Sequence, residues 1–154
     1  MTKIFCDIAD FKIIKKFNKK TIVKGFTTNP SLMRKAGAKN YQLYCQKILS
    51  LTNKPISFEV FADDEKNMIS QGLKISKWGK NVYVKVPIFN SNGKLMSNVI
   101  KKLNKEKIKL NITAVYSSKQ TKKILKNIDK SNQVIISIFA GRMADVGKDP
   151  IPVF

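Results

Sequence analysis

Lys85 is the residue with the clearest capacity for chemistry, because it stands inside a stretch that is typical of a buried strand. The stretch NVYVKVP, residues 81–87, alternates in character, carries valine at every second position and ends in a proline. Alternation puts the lysine inside the fold, on the face opposite the valines, where an unpaired ammonium group is costly. Such a lysine is either a salt-bridged structural residue or a neutral amine that attacks a carbonyl carbon.

Polar residues lie in phase with this lysine on the other predicted strands. The shared face carries Asp7, Glu59, Lys85, Asn111, Thr113 and Ser137. Buried carboxylates and amides must satisfy one another's hydrogen-bonding groups, so a row of them is difficult to explain as packing. The pattern favours a hydrogen-bonded site, but a structural alternative stays open. In that alternative Asp7 and Glu59 only neutralise the lysine, and Ser137 only bonds a neighbouring backbone group.

Two residues outside the strands are open to the same two interpretations. Asn29 precedes Pro30, which is the usual arrangement of a helix cap, and its side chain could also bind a ligand. Arg142 follows Gly141 after the last predicted strand and is one of only two arginines in the chain. Its planar guanidinium group suits bidentate binding of an anion, although it could also be a plain surface charge.

Strand-like and helix-like stretches alternate along the whole chain. Strands are predicted at residues 3–8, 21–27, 55–61, 81–87, 108–114 and 133–140. Helices are predicted at residues 10–17, from 30 to a break at 37, and at 41–52, 63–78, 97–104 and 117–129, whereas 141–154 shows no element. Repeated strand–helix units predict an α/β fold with a parallel sheet. Polar residues on one strand face favour a (β/α)8 TIM-barrel type, incomplete with about six units, over a doubly wound sheet.

Bulk composition narrows the class of protein. The chain has 154 residues and 43% hydrophobic residues, which predicts a single domain over residues 1–154. It shows no signal peptide and no apolar run of the roughly 20 residues that a membrane span needs, so the expected compartment is the cytoplasm. The sequence contains no histidine, which excludes Ser-His-Asp and Cys-His catalysis and histidine-ligated metals. Cys6 and Cys45 are far apart and are expected to be reduced thiols, and no metal or cofactor is expected.

The net charge of +20 raises the possibility of nucleic-acid binding. The charge comes almost entirely from lysines spread over every segment, and most aromatic residues lie in apolar, strand-like runs. Nucleic-acid readers favour arginine forks and exposed aromatic residues, so the distribution argues against nucleic acid as the main partner. A broad positive field could still gather anionic substrates.

Six segments together resemble the strand-end motifs of the transaldolases, a family of Schiff-base-forming class I aldolase-type barrels. In chain order they are FCDIAD, GFTTNPSL, ISFEVFAD, VYVKVP, LNITAVYS and IISIFAGRMAD, and the resemblance runs from about residue 3 to residue 150. It implies that Lys85 forms a Schiff base and that Asp7 is the acid/base group acting on the donor's fourth-carbon hydroxyl. Glu59 and Thr113 would hold the water that shuttles protons during imine formation and hydrolysis.

The same resemblance implies a set of substrate-binding residues. They are Thr27, Asn29, Asn111, Ser137, Phe139 and Arg142. Asn29 and Asn111 would bind donor hydroxyl groups, whereas Ser137 and Arg142 would belong to a phosphate site. The implied partners are sugar phosphates and, in a homo-oligomer, further copies of the chain.

Two activities exist among the relatives that the sequence resembles. Fructose-6-phosphate aldolases typically carry Gln at the position of Glu59 and Tyr at that of Phe139, so this chain has the transaldolase-like residue at both. The expected reaction is transfer of a dihydroxyacetone unit between sugar phosphates, in the pentose phosphate pathway. The alternatives are an aldolase-type lyase that releases dihydroxyacetone and an inactive, truncated remnant.

Members of this family continue through two more strand–helix units after the sixth strand. The chain is therefore expected to be C-terminally truncated, with an open barrel and a phosphate site lacking side chains of the seventh strand. A fragment, a partner chain that completes the barrel, and a degenerate remnant would each account for this.

Overall fold

The computed structural model describes residues 2–153 and contains one sheet of six parallel strands in the order of the chain. The strands are β1 (Ile4–Asp7), β2 (Val23–Thr27), β3 (Ile56–Glu59), β4 (Val82–Pro87), β5 (Leu110–Val115) and β6 (Val134–Ile138). Each strand pairs with the next one along the chain, and the sheet curls as part of a barrel. The prediction of an α/β fold of barrel type with six strand–helix units is confirmed.

Helices follow each strand. They are α1 (Phe11–Asn18), α2 (Pro30–Lys35), α3 (Tyr41–Leu49), α4 (Glu65–Ser76), α5 (Ser97–Lys105), α6 (Ser118–Leu125) and α7 (Ala140–Asp145), followed by a 3-10 helix at Ile151–Val153. The expectation of no element in residues 141–154 is wrong, because α7 covers part of that stretch. This helix has six residues and no side-chain cap, so it lacks the periodicity and the start signal that predict a helix from sequence.

The apolar core lies between the outer face of the sheet and the helices. On the strands it includes the fully buried side chains of Phe26, Phe58 and Val84, and on the helices those of Ile48 and Leu103. This layer fixes the phase of every strand, because a one-residue slip would turn the apolar side chains inward. The opposite face of each strand is thereby left for polar residues.

Strand register brings the polar residues to the same level of the sheet. Asp7 pairs with Thr27, and Lys85 lies between Glu59 on one side and Asn111 on the other. Alternation along the predicted strand 55–61 puts Phe61 on the same face as Glu59, but Phe61 does not lie there. The third strand ends at Glu59, and Phe61 is 60% exposed with its ring against Tyr41 on the outside.

No helix in residues 2–153 combines the length and apolar character needed to cross a bilayer.

Candidate functional site

A cavity of about 710 Å³ opens at the carboxyl ends of the strands. All ten residues singled out from the sequence line it: Asp7, Thr27, Asn29, Glu59, Lys85, Asn111, Thr113, Ser137, Phe139 and Arg142. The cavity has the size of a typical small-molecule site and lies where β/α barrels carry their active sites. The structure therefore brings the predicted residues together, whereas their chemical roles stay predictions.

Lys85 lies at the bottom of this cavity and is 7% exposed. Its Nζ is 3.3 Å from Oε2 of Glu59 and donates a hydrogen bond of 3.3 Å to the carbonyl oxygen of Thr28. Both distances are long for charge-assisted hydrogen bonds, which are usually about 2.7–2.9 Å. The amine is thus held by two neighbours without being tightly bound to either.

Glu59 has a perturbed acidity. Burial raises the pKa of its carboxyl above the ordinary value, the nearby Lys85 ammonium opposes that rise, and the charge of Asp7 adds to it. Burial outweighs the ion pair because the side chain is only 18% exposed. A carboxyl whose pKa is raised is a better proton acceptor than an ordinary carboxylate, which suits proton transfer.

Asp7 is the last residue of β1, which is one edge strand of the sheet; β6 is the other edge strand. Its Oδ1 accepts a hydrogen bond of 2.7 Å from the hydroxyl of Thr27, its partner across the strand pair. The threonine therefore fixes the orientation of the carboxylate. Asp7 is exposed to solvent, so an incoming ligand can reach it.

Asn111 is fully buried and forms the centre of a hydrogen-bonded row beneath the cavity. Its Nδ2 donates to Oγ of Ser57 at 3.0 Å, and its Oδ1 accepts from Oγ of Ser137 at 2.7 Å. Ser57 was not singled out from the sequence as functional, although its phase with Glu59 was available as a signal. Two residues further along the same strand, the buried hydroxyl of Thr113 has no hydrogen-bond partner among the described residues and is free for a ligand or a water molecule.

The rim of the cavity is formed by loop and helix residues. Asn29 caps α2, and its Oδ1 accepts a hydrogen bond of 2.9 Å from the N–H of Leu32. The interpretation of Asn29 as a helix cap is therefore confirmed. Because Asn29 also lines the cavity, the cap does not exclude contact with a ligand. Arg142 lies exposed on α7 and lines the cavity, as does Phe139, whose ring meets Tyr116 edge to face.

Two other rim residues were missed from the sequence. Ser31, next to the capped start of α2, and Asp145, one helical turn after Arg142, also line the cavity. The spacing of Asp145 from Arg142 on one helix was the only signal for it. In residues 2–153 no three His, Cys, Asp or Glu side chains gather into a group that could hold a metal ion.

Comparison with known proteins agrees with the segments that carry the site. A family model described as transaldolase/fructose-6-phosphate aldolase matches residues 4–152. A "Probable transaldolase" of Methanococcus maripaludis (strain C6) is 36% identical over 147 residues, covering 96% of this chain and 64% of that protein. A "Probable transaldolase" of Clostridium acetobutylicum is 36% identical over 149 residues, covering 97% and 65%. The chain thus spans a little under two thirds of the length of these relatives.

Proposed function

Since the chain belongs to the transaldolase/fructose-6-phosphate aldolase family, we propose that it transfers a dihydroxyacetone unit between sugar phosphates through a Schiff base on Lys85. The observation that carries the proposal is the position of that amine. It is buried at the bottom of a cavity, loosely held, and beside a carboxyl whose pKa is raised. Burial is one of the conditions under which the amine of a lysine acts as a nucleophile toward a carbonyl carbon.

The first step is formation of the imine. The Lys85 amine attacks the ketone carbon of fructose 6-phosphate or sedoheptulose 7-phosphate, and the carbonyl oxygen leaves as water after receiving protons. Glu59 supplies and recovers protons, since burial raises the pKa of its carboxyl above that of an ordinary carboxyl. The unpartnered hydroxyl of Thr113 offers a place for the water that passes them on.

Cleavage of the carbon–carbon bond is assigned to Asp7. Its carboxylate takes the proton from the donor's fourth-carbon hydroxyl, the bond to the third carbon breaks, and an aldose phosphate leaves. The electron pair of that bond passes into the imine and forms a three-carbon enamine on the lysine. Thr27 keeps the carboxylate oriented toward the cavity through its 2.7 Å hydrogen bond.

The remaining cavity residues would bind and orient the sugar phosphate. Asn29 and Asn111 offer amide groups to the donor's hydroxyls. Arg142 offers a planar cation to the phosphate, with the hydroxyl of Ser137 nearby in the lining. The strongly positive chain as a whole would favour the approach of such anions.

Transfer is favoured over simple release by two residues. Phe139 places a ring without a hydroxyl at the cavity wall, and Glu59 stands where an aldolase would have an amide. Because no tyrosine hydroxyl stands at position 139 to protonate the enamine, it persists until a second aldose phosphate arrives and reforms the bond. Release of free dihydroxyacetone by a lyase is the alternative, since the family model covers both activities. In the cell we place the transferase in the cytoplasm, in the pentose phosphate pathway and as a homo-oligomer.

Borohydride reduction in the presence of fructose 6-phosphate tests the proposal. A three-carbon adduct is expected on the peptide that contains Lys85, and it should disappear in Lys85→Met. Lys109→Met is the matched control, because Lys109 immediately precedes β5 but donates to the carbonyl oxygen of Lys80, away from the cavity. Absence of any adduct would contradict both enzymatic readings and favour an inactive remnant.

A second measurement distinguishes transferase activity from lyase activity. The transferase predicts consumption of fructose 6-phosphate only when an aldose phosphate acceptor is present. Free dihydroxyacetone accumulating without an acceptor, at the rate of the complete reaction, would identify the lyase instead.

A further inference from the structure

Helix α3 holds two strand ends from outside the cavity. The hydroxyl of Tyr41 donates a hydrogen bond of 2.8 Å to the carbonyl oxygen of Glu59. One helical turn later, the hydroxyl of Tyr44 donates at 3.0 Å to the carbonyl oxygen of Ala9, in the loop after β1. Neither tyrosine lines the cavity, so neither belongs to the site described above.

The Glu59 carbonyl needs this donor because the strand ladder cannot supply one. The N–H of Thr28 donates to the carbonyl oxygen of Ser57, at 3.1 Å. In a parallel ladder the next donor along that side is two residues further on, which is Pro30, and proline has no N–H. The Tyr41 hydroxyl takes the place of the missing ladder bond at the last residue of β3.

Ring packing of Tyr41 and hydrogen bonds to Gln71 further fix the chain that follows β3. The ring of Tyr41 meets Phe61 edge to face, with centroids 5.2 Å apart, and lies 6.2 Å from the ring of Trp78. The Oε1 of Gln71 accepts the N–H groups of both Phe61 and Ala62, at 2.9 and 3.0 Å. Burial raises the pKa of the Tyr41 hydroxyl, so the group remains a donor at any physiological pH.

We propose that Tyr41 is a positioning residue for Glu59, holding the end of β3 so that the carboxyl stays buried beside Lys85. The backbone of Glu59 is fixed from the helix side, while its side chain reaches the amine on the cavity side. Release of that backbone would let the carboxyl move toward water. The catalytic part of this inference rests on the proposed function, whereas the structural part does not.

The experiment compares Tyr41→Phe with Tyr44→Phe, which remove the same hydroxyl from the same helix. Carboxyl NMR titration should show the pKa of Glu59 falling toward its ordinary value in Tyr41→Phe and unchanged in Tyr44→Phe. The Val60 N–H, which donates to the carbonyl oxygen of Lys85, should exchange with solvent about tenfold faster in Tyr41→Phe only. Phenylalanine keeps the ring contacts, so the variant is expected to fold.

Enzyme kinetics of the two variants provide the second test of the role of Tyr41. Tyr41→Phe should lower kcat for the transfer about tenfold while KM changes less than twofold, and the pH profile should shift with the pKa of Glu59. If the parent chain forms no lysine adduct, the proposed function fails, yet the titration and exchange measurements still decide the role of Tyr41. An unchanged Glu59 pKa together with unchanged Val60 exchange would overturn the inference.

Discussion

Ser57→Ala tests whether the buried row beneath the cavity acts as one unit. The change removes the acceptor of the Asn111 Nδ2 group, at 3.0 Å, where Ser57 is 1% exposed and Asn111 is 0% exposed. Water cannot easily replace a partner at that depth, so the donor is left unsatisfied. The expected cost is about 1–3 kcal/mol of unfolding free energy.

Urea denaturation measures this cost directly. With a slope of about 1–3 kcal/mol per molar urea, the midpoint should fall by about 1 M. Ser50→Ala is the matched control, because the Ser50 hydroxyl donates to the carbonyl oxygen of Lys47 at 2.8 Å on the exposed surface. Its midpoint should move by much less, since solvent replaces the lost bond there.

A double-mutant cycle decides the mechanism. In an Asn111→Ala background the amide is gone, so Ser57→Ala should cost at least 1 kcal/mol less than it does alone, by the size of the broken coupling. Equal costs in both backgrounds, or a Ser57→Ala midpoint that matches the Ser50→Ala control, would refute the idea that the serine satisfies the amide.

Three other expectations concern acidity and packing. Burial raises the folded-state pKa of Glu59 above its unfolded value, so folding favours the protonated carboxyl. The free energy of unfolding should therefore fall as pH rises above about 4.5. In Glu59→Gln, denaturation at several pH values should show a smaller decline. Burial raises the pKa of Cys45 to about 12, so iodoacetamide at pH 8 should leave it unmodified in the folded chain while the half-buried Cys6 reacts. In Gly72→Ala the new Cβ would stand 2.7 Å from a methyl carbon of Leu103, and thermal unfolding should show a loss of about 1–3 kcal/mol.

The residues at the strand ends were predictable because strand periodicity is simple. Side chains alternate between two faces, and apolar residues of the outer layer fix which face points inward. From that rule alone Asp7, Glu59, Asn111 and Ser137 fall on one face with Lys85, and the structure places all five around one cavity. The same rule failed at Phe61, because β3 ends two residues earlier and periodicity does not indicate where a strand ends.

What the sequence could not reveal depends on contacts between distant elements. The bond from Tyr41 to the Glu59 carbonyl joins residues 18 positions apart and requires α3 to pack against the end of β3. The partner of Ser57 is 54 positions away in the chain. The direction of the Glu59 pKa shift depends on a balance between burial and the lysine charge, and only coordinates give the depth of burial. The helix α7 offered too few residues for a periodic pattern.

Lys85 can be interpreted as part of a structural ion pair or as a reactive amine, and its contact with Glu59 bears on both interpretations. A structural pair is stabilising only if both groups stay charged and well bonded, because burying two charges is costly. Here the Nζ–Oε2 distance is 3.3 Å, and burial raises the pKa of the carboxyl in spite of the neighbouring cation. A carboxyl whose pKa is raised beside a cation is not held as half of a firm ion pair. The carbonyl oxygen of Thr28 can accept a hydrogen bond from the nitrogen in either protonation state. The contact between Lys85 and Glu59 is therefore compatible with the proposed reaction, since neither its length nor the raised pKa of the carboxyl is typical of a firm structural ion pair.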